Sequence, residues 1–267
     1  MKRVFTIGSI ILLHSTNAYA EFNFSQPPTQ LSTYYSAPFK TVQKVKKRLI
    51  ENGFTIVAIN KINEDEIVTI SNSELKATNS YLATLHLLIN HKRQEIRIQN
   101  PSYFGAAYLE EQYHYGQFKE TLNALLLVLG SMSETEERVE FKRLASYKFM
   151  FGMPKLKDTI SIAQGEKLLE NLGDKHIAYS LKLPNGSTLV GHHLSSENIS
   201  FLSKINQRQN RQILPYEAII KNREVTILNP KYYLALSLPL LSMQEFMKIA
   251  TTPEHIERNI REAYKIK

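Results

Sequence analysis

The stretch EIRIQNPSYFGAA at residues 95–107 recurs as EVTILNPKYYLAL at residues 224–236. Six of the thirteen positions are identical, always at an offset of 129 residues, and the rare sequence Asn-Pro-x-Tyr lies at the centre of both copies. Self-similarity at a fixed spacing is the sequence signature of a duplicated structural unit. The chain is therefore predicted to contain two copies of one folding unit.

The segments around the two copies follow one order. Each unit is predicted to open with an extended segment, followed by an amphipathic helix, two hairpins and a closing helix. The expected opening segments are 33–36 and 147–151, and the first helices are 41–52 and 162–172, with Ser161 as the N-cap of the second. The expected hairpins are 54–60 with 66–71 and 82–90 with 95–99, then 176–183 with 187–191 and 214–221 with 224–228. The closing helices are 117–129 and 242–265, the latter interrupted near Pro253.

Each unit thus follows the order β-α-β-β-β-β-α. Antiparallel hairpins with segregated helices predict an α+β fold, here two tandem pseudo-symmetric lobes, each a mainly antiparallel sheet with helices on one face. The expected divisions are a signal peptide (1–20), a flexible leader (21–32), a first lobe (33–130), a polar linker (131–146) and a second lobe (147–267). Because the first unit has its own complete set of elements, a fragment of residues 21–140 is expected to fold alone.

The stretch QILPYEAIIKNREVTILNPKYYLAL at 212–236 resembles the C-terminal half of domain-of-unknown-function family 302. In that family a Leu-Pro precedes a strand, a short turn follows, and the next strand ends in Asn-Pro. The first copy, at 85–109, matches the Asn-Pro-x-Tyr end, and Asn-Gly-Phe at 52–54 is similar to the family's step from helix to strand. The first copy lacks the Leu-Pro, and neither copy has the cysteine that often precedes Asn-Pro. The resemblance implies a fold and no particular activity.

The N-terminus, MKRVFTIGSIILLHSTNAYA, has the three parts of a secretory signal peptide. Lys2 and Arg3 precede an apolar run at 4–13, and Ala18-Tyr19-Ala20 is a small-x-small cleavage site. Cleavage is expected after Ala20; an uncleaved anchor or a buried strand are the alternatives. The prediction is a periplasmic protein without a membrane span, with secretion from the cell as the alternative.

Composition excludes several kinds of chemistry. The chain has no cysteine, which rules out thiolate catalysis, disulfides and Cys-ligated metal centres. The net charge of +8 is modest, and the spacing of the basic cluster at 44–48 indicates the solvent-exposed face of an amphipathic helix. No nucleic-acid partner is therefore expected. No Gly-rich phosphate loop and no Gly-x-Ser-x-Gly elbow occurs, and no cofactor is predicted.

The histidines give weak signals. His192 and His193 are adjacent, so on a strand their side chains would point to opposite faces and would rarely bind one metal ion. They are therefore interpreted as surface or loop histidines rather than as a metal site. His86 lies in an apolar strand and is expected to be a buried or half-buried histidine with satisfied hydrogen bonds.

The two Asn-Pro-x-Tyr segments, at 100–103 and 229–232, are the most distinctive feature of the sequence and are called the corners. Asn100 and Asn229 are expected to hydrogen-bond the turn, and the following rings either pack under the final helix or line a ligand groove. The candidate ligand-binding residues are Asn100, Tyr103, Phe104, Asn229, Tyr232 and Tyr233. Three functions remain open: a non-catalytic module that binds an unknown small molecule or an envelope protein at the interlobe cleft or these corners, an envelope accessory protein acting by protein–protein contact, and a hydrolase with an unrecognised site.

Overall fold

The computed structural model of the protein describes residues 22–150 and 152–265, so the predicted signal peptide and its cleavage site lie outside the described residues. The strands are β1 (Gln30–Ser32), β2 (Tyr34–Pro38), β3 (Thr55–Ile62), β4 (Asp65–Ser71), β5 (Leu85–Asn90), β6 (Glu95–Gln99), β7 (Ser133–Glu134), β8 (Arg138–Glu140), β9 (Ile160–Gln164), β10 (Ile177–Lys182), β11 (Thr188–His192), β12 (Tyr216–Lys221) and β13 (Glu224–Ile227). The α-helices are α1 (Val42–Glu51), α2 (Ser73–Lys76), α3 (Pro101–Tyr108), α4 (Lys119–Leu129), α5 (Phe141–Leu144), α6 (Leu168–Asn171), α7 (Ser196–Ile199), α8 (Phe201–Lys204), α9 (Pro230–Ser237), α10 (Met243–Lys248) and α11 (Thr252–Ala263).

The fold is α+β, with two separate antiparallel sheets that correspond to the two lobes. The first sheet has the strand order β3-β4-β5-β6-β2-β7, and the second has the order β10-β11-β12-β13-β9. Without β7, the two orders match strand for strand, because β2 to β6 correspond to β9 to β13. The duplication predicted from the motif is therefore present in the topology as well as in the sequence.

Both copies of the Asn-Pro motif end a strand, as predicted, and then begin a helix that the sequence did not lead us to expect. The side-chain oxygen of Asn100 accepts a hydrogen bond from the backbone N–H of Ser102 at 3.0 Å, and Asn229 does the same for Lys231 at 3.0 Å. Pro101 and Pro230 stand in the first turn of α3 and α9, where the missing N–H has no helical partner to lose. The motif is thus a strand end and a helix cap combined.

Two predictions for the second unit are wrong. Residues 147–150 are not a strand, and the predicted helix at 162–172 is instead β9 followed by the short α6. Ser161, expected to be an N-cap, lies within β9 and pairs with Thr226 of β13. A helix cannot run through Gly165 and Lys167, whose φ angles are +150° and +55°.

The segments at the edges of the first lobe are tied to it by strand pairing. In the expected linker, β7 pairs with β2, and β8 pairs with β1, which belongs to the expected leader. Before β1, the ring of Phe22 contacts that of Tyr35, with 5.5 Å between centroids. The leader and the linker therefore meet on the first lobe.

The two faces of the first sheet differ in chemistry. Alternate residues of β5 and β6, among them Leu87 and Ile98, form a buried apolar face. The other face carries buried polar side chains, including His86 and Arg97, and these meet residues of the second lobe. The tyrosine hydroxyls at the ends of this face also cross the boundary, since Tyr34 donates to the carbonyl of Ser237 at 2.7 Å. The lobes are therefore joined through a polar, hydrogen-bonded contact.

Within residues 22–150 and 152–265, no helix has the length and apolar character that crossing a bilayer requires.

Candidate functional site

The residues of the first corner are buried and hydrogen-bonded. Asn100 has no exposed surface and donates from Nδ2 to the carbonyl of Ser32 at 2.7 Å. The hydroxyl of Tyr103 donates to the carbonyl of Leu236 at 2.8 Å, across the lobe boundary, and burial raises the pKa of this tyrosine well above its ordinary value. The ring of Phe104 packs edge-on against that of Tyr103, with 5.2 Å between centroids.

The second corner has a similar environment. The hydroxyl of Tyr233 donates to the carbonyl of Ile213 at 2.6 Å, and its ring packs edge-on against Tyr216. The ring of Tyr232 lies 6.2 Å from that of Tyr147, measured between centroids. Both tyrosines are buried, which raises their pKa values. Both hydroxyls are thus already bonded to carbonyls, that of Tyr103 across the lobe boundary and that of Tyr233 within the second lobe. A ligand-binding role for these corners stays a prediction.

His86, the buried histidine of β5, belongs to a polar cluster between the two sheets. Its Nδ1 lies 3.0 Å from the carbonyl of Gln212, and its Nε2 lies 3.5 Å from Oε1 of Glu217. Oε1 of Glu217 also accepts hydrogen bonds from Tyr179 and, at 2.5 Å, from Thr84. The prediction that His86 is buried and hydrogen-bonded is confirmed.

This cluster is the arrangement that the hydrolase alternative would need, a carboxylate beside a histidine. Its members are packed rather than open: Tyr179 is wedged against Gly191, where an added Cβ would stand within 3.0 Å of three ring atoms. Two cavities lie on the seam between the lobes, and neither is lined by His86, Thr84, Tyr179 or Glu217. The cluster therefore reads as a polar connection between lobes.

The adjacent histidines of β11 have separate environments. His192 is buried, with Nε2 at 2.9 Å from the hydroxyl of Tyr264, so its expected place on the surface or in a loop is wrong. His193, the residue after the end of β11, is exposed. Among the described residues, no three His, Asp or Glu side chains are grouped so that they could hold a metal ion.

Two adjoining cavities follow the seam between the lobes, and together they are named the seam groove. The first has a volume of about 480 Å³ and lies between the β3–β4 and β5–β6 turns of the first lobe and the 208–211 segment of the second. It is lined by Asn63, Glu64, Asp65, Asn90, Lys92, Arg93, Arg208, Gln209 and Arg211. Its wall contains an ion pair that spans the lobes, between buried Asp65 and Arg211.

The second cavity, of about 420 Å³, continues along the same seam. It is lined by Ser36, Arg93, Arg97, Glu134, Thr135, Glu136, Glu137, Gln207, Gln209 and Leu240. Arg93 and Gln209 line both cavities, so the two cavities adjoin each other at these residues.

The floor of the seam groove is fixed by a buried network around Asn210, which has no exposed surface. Arg97 donates to Glu137 at 2.7 Å and to Oδ1 of Asn210 at 2.9 Å, and Asn210 in turn donates to Gln207 at 2.9 Å. Burial raises the pKa of Glu137, but the Arg97 charge and the hydrogen bonds from Thr135 and Asn210 outweigh it, so the net pKa lies below its ordinary value. A charged and hydrogen-bonded floor of this kind gives the groove a defined shape before any ligand arrives.

The sequence predicted a cleft between the lobes but none of the residues that line the seam groove. They come from turns that are more than a hundred positions apart, such as Asp65 and Arg211. The only local signal was the polar, basic run at 206–212 ahead of Leu214-Pro215, which reads as an ordinary loop.

Comparison of the chain with protein-family models, with curated proteins and with solved structures finds no match. The resemblance to domain-of-unknown-function family 302 stays a prediction.

Proposed function

We propose that the protein is an exported, periplasmic binding protein without catalytic activity, which takes a small polar ligand in the seam groove. Secretion from the cell is the alternative location. The observation that carries the proposal is the pair of adjoining cavities, of about 480 and 420 Å³, on the boundary between duplicated lobes. Each lies within the size range of about 300–1,000 Å³ that is typical of ligand sites, and such sites favour boundaries between domains.

The chemistry of the groove wall supports a polar ligand rather than an apolar one. Its side chains are charged groups and amides, with Leu240 as the one aliphatic side chain among the residues that line the two cavities. The ends of these side chains can supply hydrogen bonds and charge to a polar ligand, which gives specificity as well as affinity.

The test is native mass spectrometry of the full mature chain after gentle purification from its own cell envelope. A retained small mass is expected for the natural protein and is expected to be lost in Gln209→Trp, which fills the junction of the two cavities. The matched control is Gln164→Trp, at an exposed position on the far edge strand of the second sheet. A clean chain mass, with no rise in melting temperature for any of a panel of amino acids, peptides and sugar phosphates, would contradict the proposal.

Protein–protein contact is the second candidate, favoured by exposed apolar side chains on and beside α10. These are Met150, Leu240, Met243 and Met247, next to the stacked rings of Phe149 and Phe246. Flexible methionine side chains adapt to varied partner surfaces. A photo-cross-linking residue at position 247 that captures an envelope protein in whole cells, when the same residue at exposed Lys61 captures none, would favour this function over the first.

A further inference from the structure

The charge of the seam groove changes sign along its length. In the first cavity the cationic side chains are Lys92, Arg93, Arg208 and Arg211, against the two acids Glu64 and Asp65. Arg211 is paired with Asp65 and Arg93 with Glu95, which leaves Lys92 and Arg208, neither with an ion-pair partner within the described residues, against Glu64. This end of the groove therefore attracts a negative group.

The second cavity has the opposite balance. Its acids are Glu134, Glu136 and Glu137, against Arg93 and Arg97. Glu134 is paired with Arg138 at 3.1 Å, outside the cavity lining. Arg97 is committed to Glu137 at 2.7 Å, and Arg93 is committed to Glu95 at 2.8 Å. Exposed Glu136 has no ion-pair partner in the part of the chain that the structure describes. This end of the groove therefore attracts a positive group.

Neutral amides lie between and beside the two charged ends. Asn63 and Asn90 line the first cavity, Gln207 lines the second, and Gln209 lines both. An amide side chain offers both a donor and an acceptor, which is what a peptide group requires. The groove thus presents a cationic end, an acidic end and a lining of amides.

We propose that the ligand of the seam groove is a short peptide with both termini free, its carboxylate at the Lys92–Arg208 end and its ammonium at the Glu136 end. This inference rests on the proposed binding function. A uniformly charged ligand would meet like charge at one end of the groove. A single amino acid carries both charges on one carbon and cannot place them in separate cavities, whereas each further residue extends the reach by about 3.5 Å.

The test is an NMR titration of the full mature chain with three probes: trialanine with free ends, N-acetyl-trialanine and trialanine amide. Free trialanine is expected to bind, and each capped form is expected to bind about tenfold more weakly or worse, because one charge contact is lost. Added salt is expected to weaken binding of the free peptide most, since both ends are exposed to screening.

Two variants assign the ends. Glu136→Gln is expected to weaken binding of free trialanine and of the amide, which keep the ammonium, and to leave N-acetyl-trialanine unchanged. Lys92→Gln is expected to weaken the free and acetylated peptides, which keep the carboxylate, and to leave the amide unchanged. The matched controls are Glu51→Gln and Lys61→Gln, exposed residues outside the groove.

The outcomes separate this inference from the function on which it rests. If all three probes bind equally, or if none binds while a retained mass still depends on Gln209, the peptide assignment is overturned and the binding function stands. If no probe binds and no retained mass is found, both fail.

Discussion

At the scale of single residues, His192 shows how burial fixes a protonation state. Its Nδ1 lies 3.3 Å from the carbonyl of Tyr216, which can only accept, so Nδ1 carries the proton and Nε2 accepts from the hydroxyl of Tyr264. Burial removes water from the charged form and lowers the pKa of His192 to about 4.

This lowered pKa predicts a loss of stability in acid. The unfolded chain binds the proton near pH 6.5 and the folded chain only near pH 4, so above pH 6.5 the residue has no effect, and below it the unfolded state gains. The free energy of unfolding is expected to fall by about 3 kcal/mol from this residue between pH 6.5 and pH 4. His192→Gln is expected to be less stable at pH 7 but to lose less on acidification, as measured by urea unfolding at both pH values. His114→Gln, at an exposed position, is the control; an equal acid loss in His192→Gln and the natural protein would contradict the assignment.

At the scale of secondary-structure elements, the two asparagine caps form a natural matched pair. Both accept a hydrogen bond from the N–H two residues later, at 3.0 Å. Asn100 also donates to the carbonyl of Ser32, and it is fully buried, whereas Asn229 is only half-buried.

The pair predicts unequal costs for the same substitution. Asn229→Ala removes one cap and is expected to cost about 1 kcal/mol of unfolding free energy. Asn100→Ala is expected to cost a further ~1–3 kcal/mol, because it leaves the Ser32 carbonyl buried without its donor. Urea unfolding at pH 7 measures both. Equal losses for the two variants would mean that the Asn100–Ser32 bond adds nothing.

The element scale also shows what the sequence could and could not predict. The four hairpins were predictable because each combines two β-rich runs with a polar turn, as at 177–182 and 188–192 around Asn185-Gly186. The helix predicted at 162–172 is wrong because Leu168, Leu169 and Leu172 have helical spacing. The strand pairing of Ile160 to Gln164 depends instead on β13, which lies sixty or more residues away in the sequence. Long-range pairing overrode local pattern, and the seam groove was out of reach for the same reason.

At the scale of the whole molecule, the polar face of the first sheet contacts the second lobe. Arg97 is bonded to Asn210, His86 lies against the carbonyl of Gln212, and Asp65 is paired with Arg211. Each of these first-lobe groups is buried by the second lobe or bonded to it, and a buried charge that loses its partner is strongly destabilising. The contact therefore acts as one internal interface rather than as a linker between independent units.

The interface predicts that the first lobe is not stable by itself, which reverses the expectation from the sequence. A fragment of residues 21–140 keeps the Arg97–Glu137 pair but loses Asn210, and it exposes the tyrosines that bond to the carbonyls of 236 and 237. It is expected to show low near-ultraviolet circular dichroism, to bind a hydrophobic dye, and to unfold without a sharp transition, whereas residues 21–267 together are expected to unfold in one cooperative step. A dispersed NMR spectrum and a sharp urea transition in the fragment would instead make the lobes separate folding units. In that case the seam groove would be a contact between preformed domains, free to open and close; with a dependent lobe, the groove forms only when the whole chain folds.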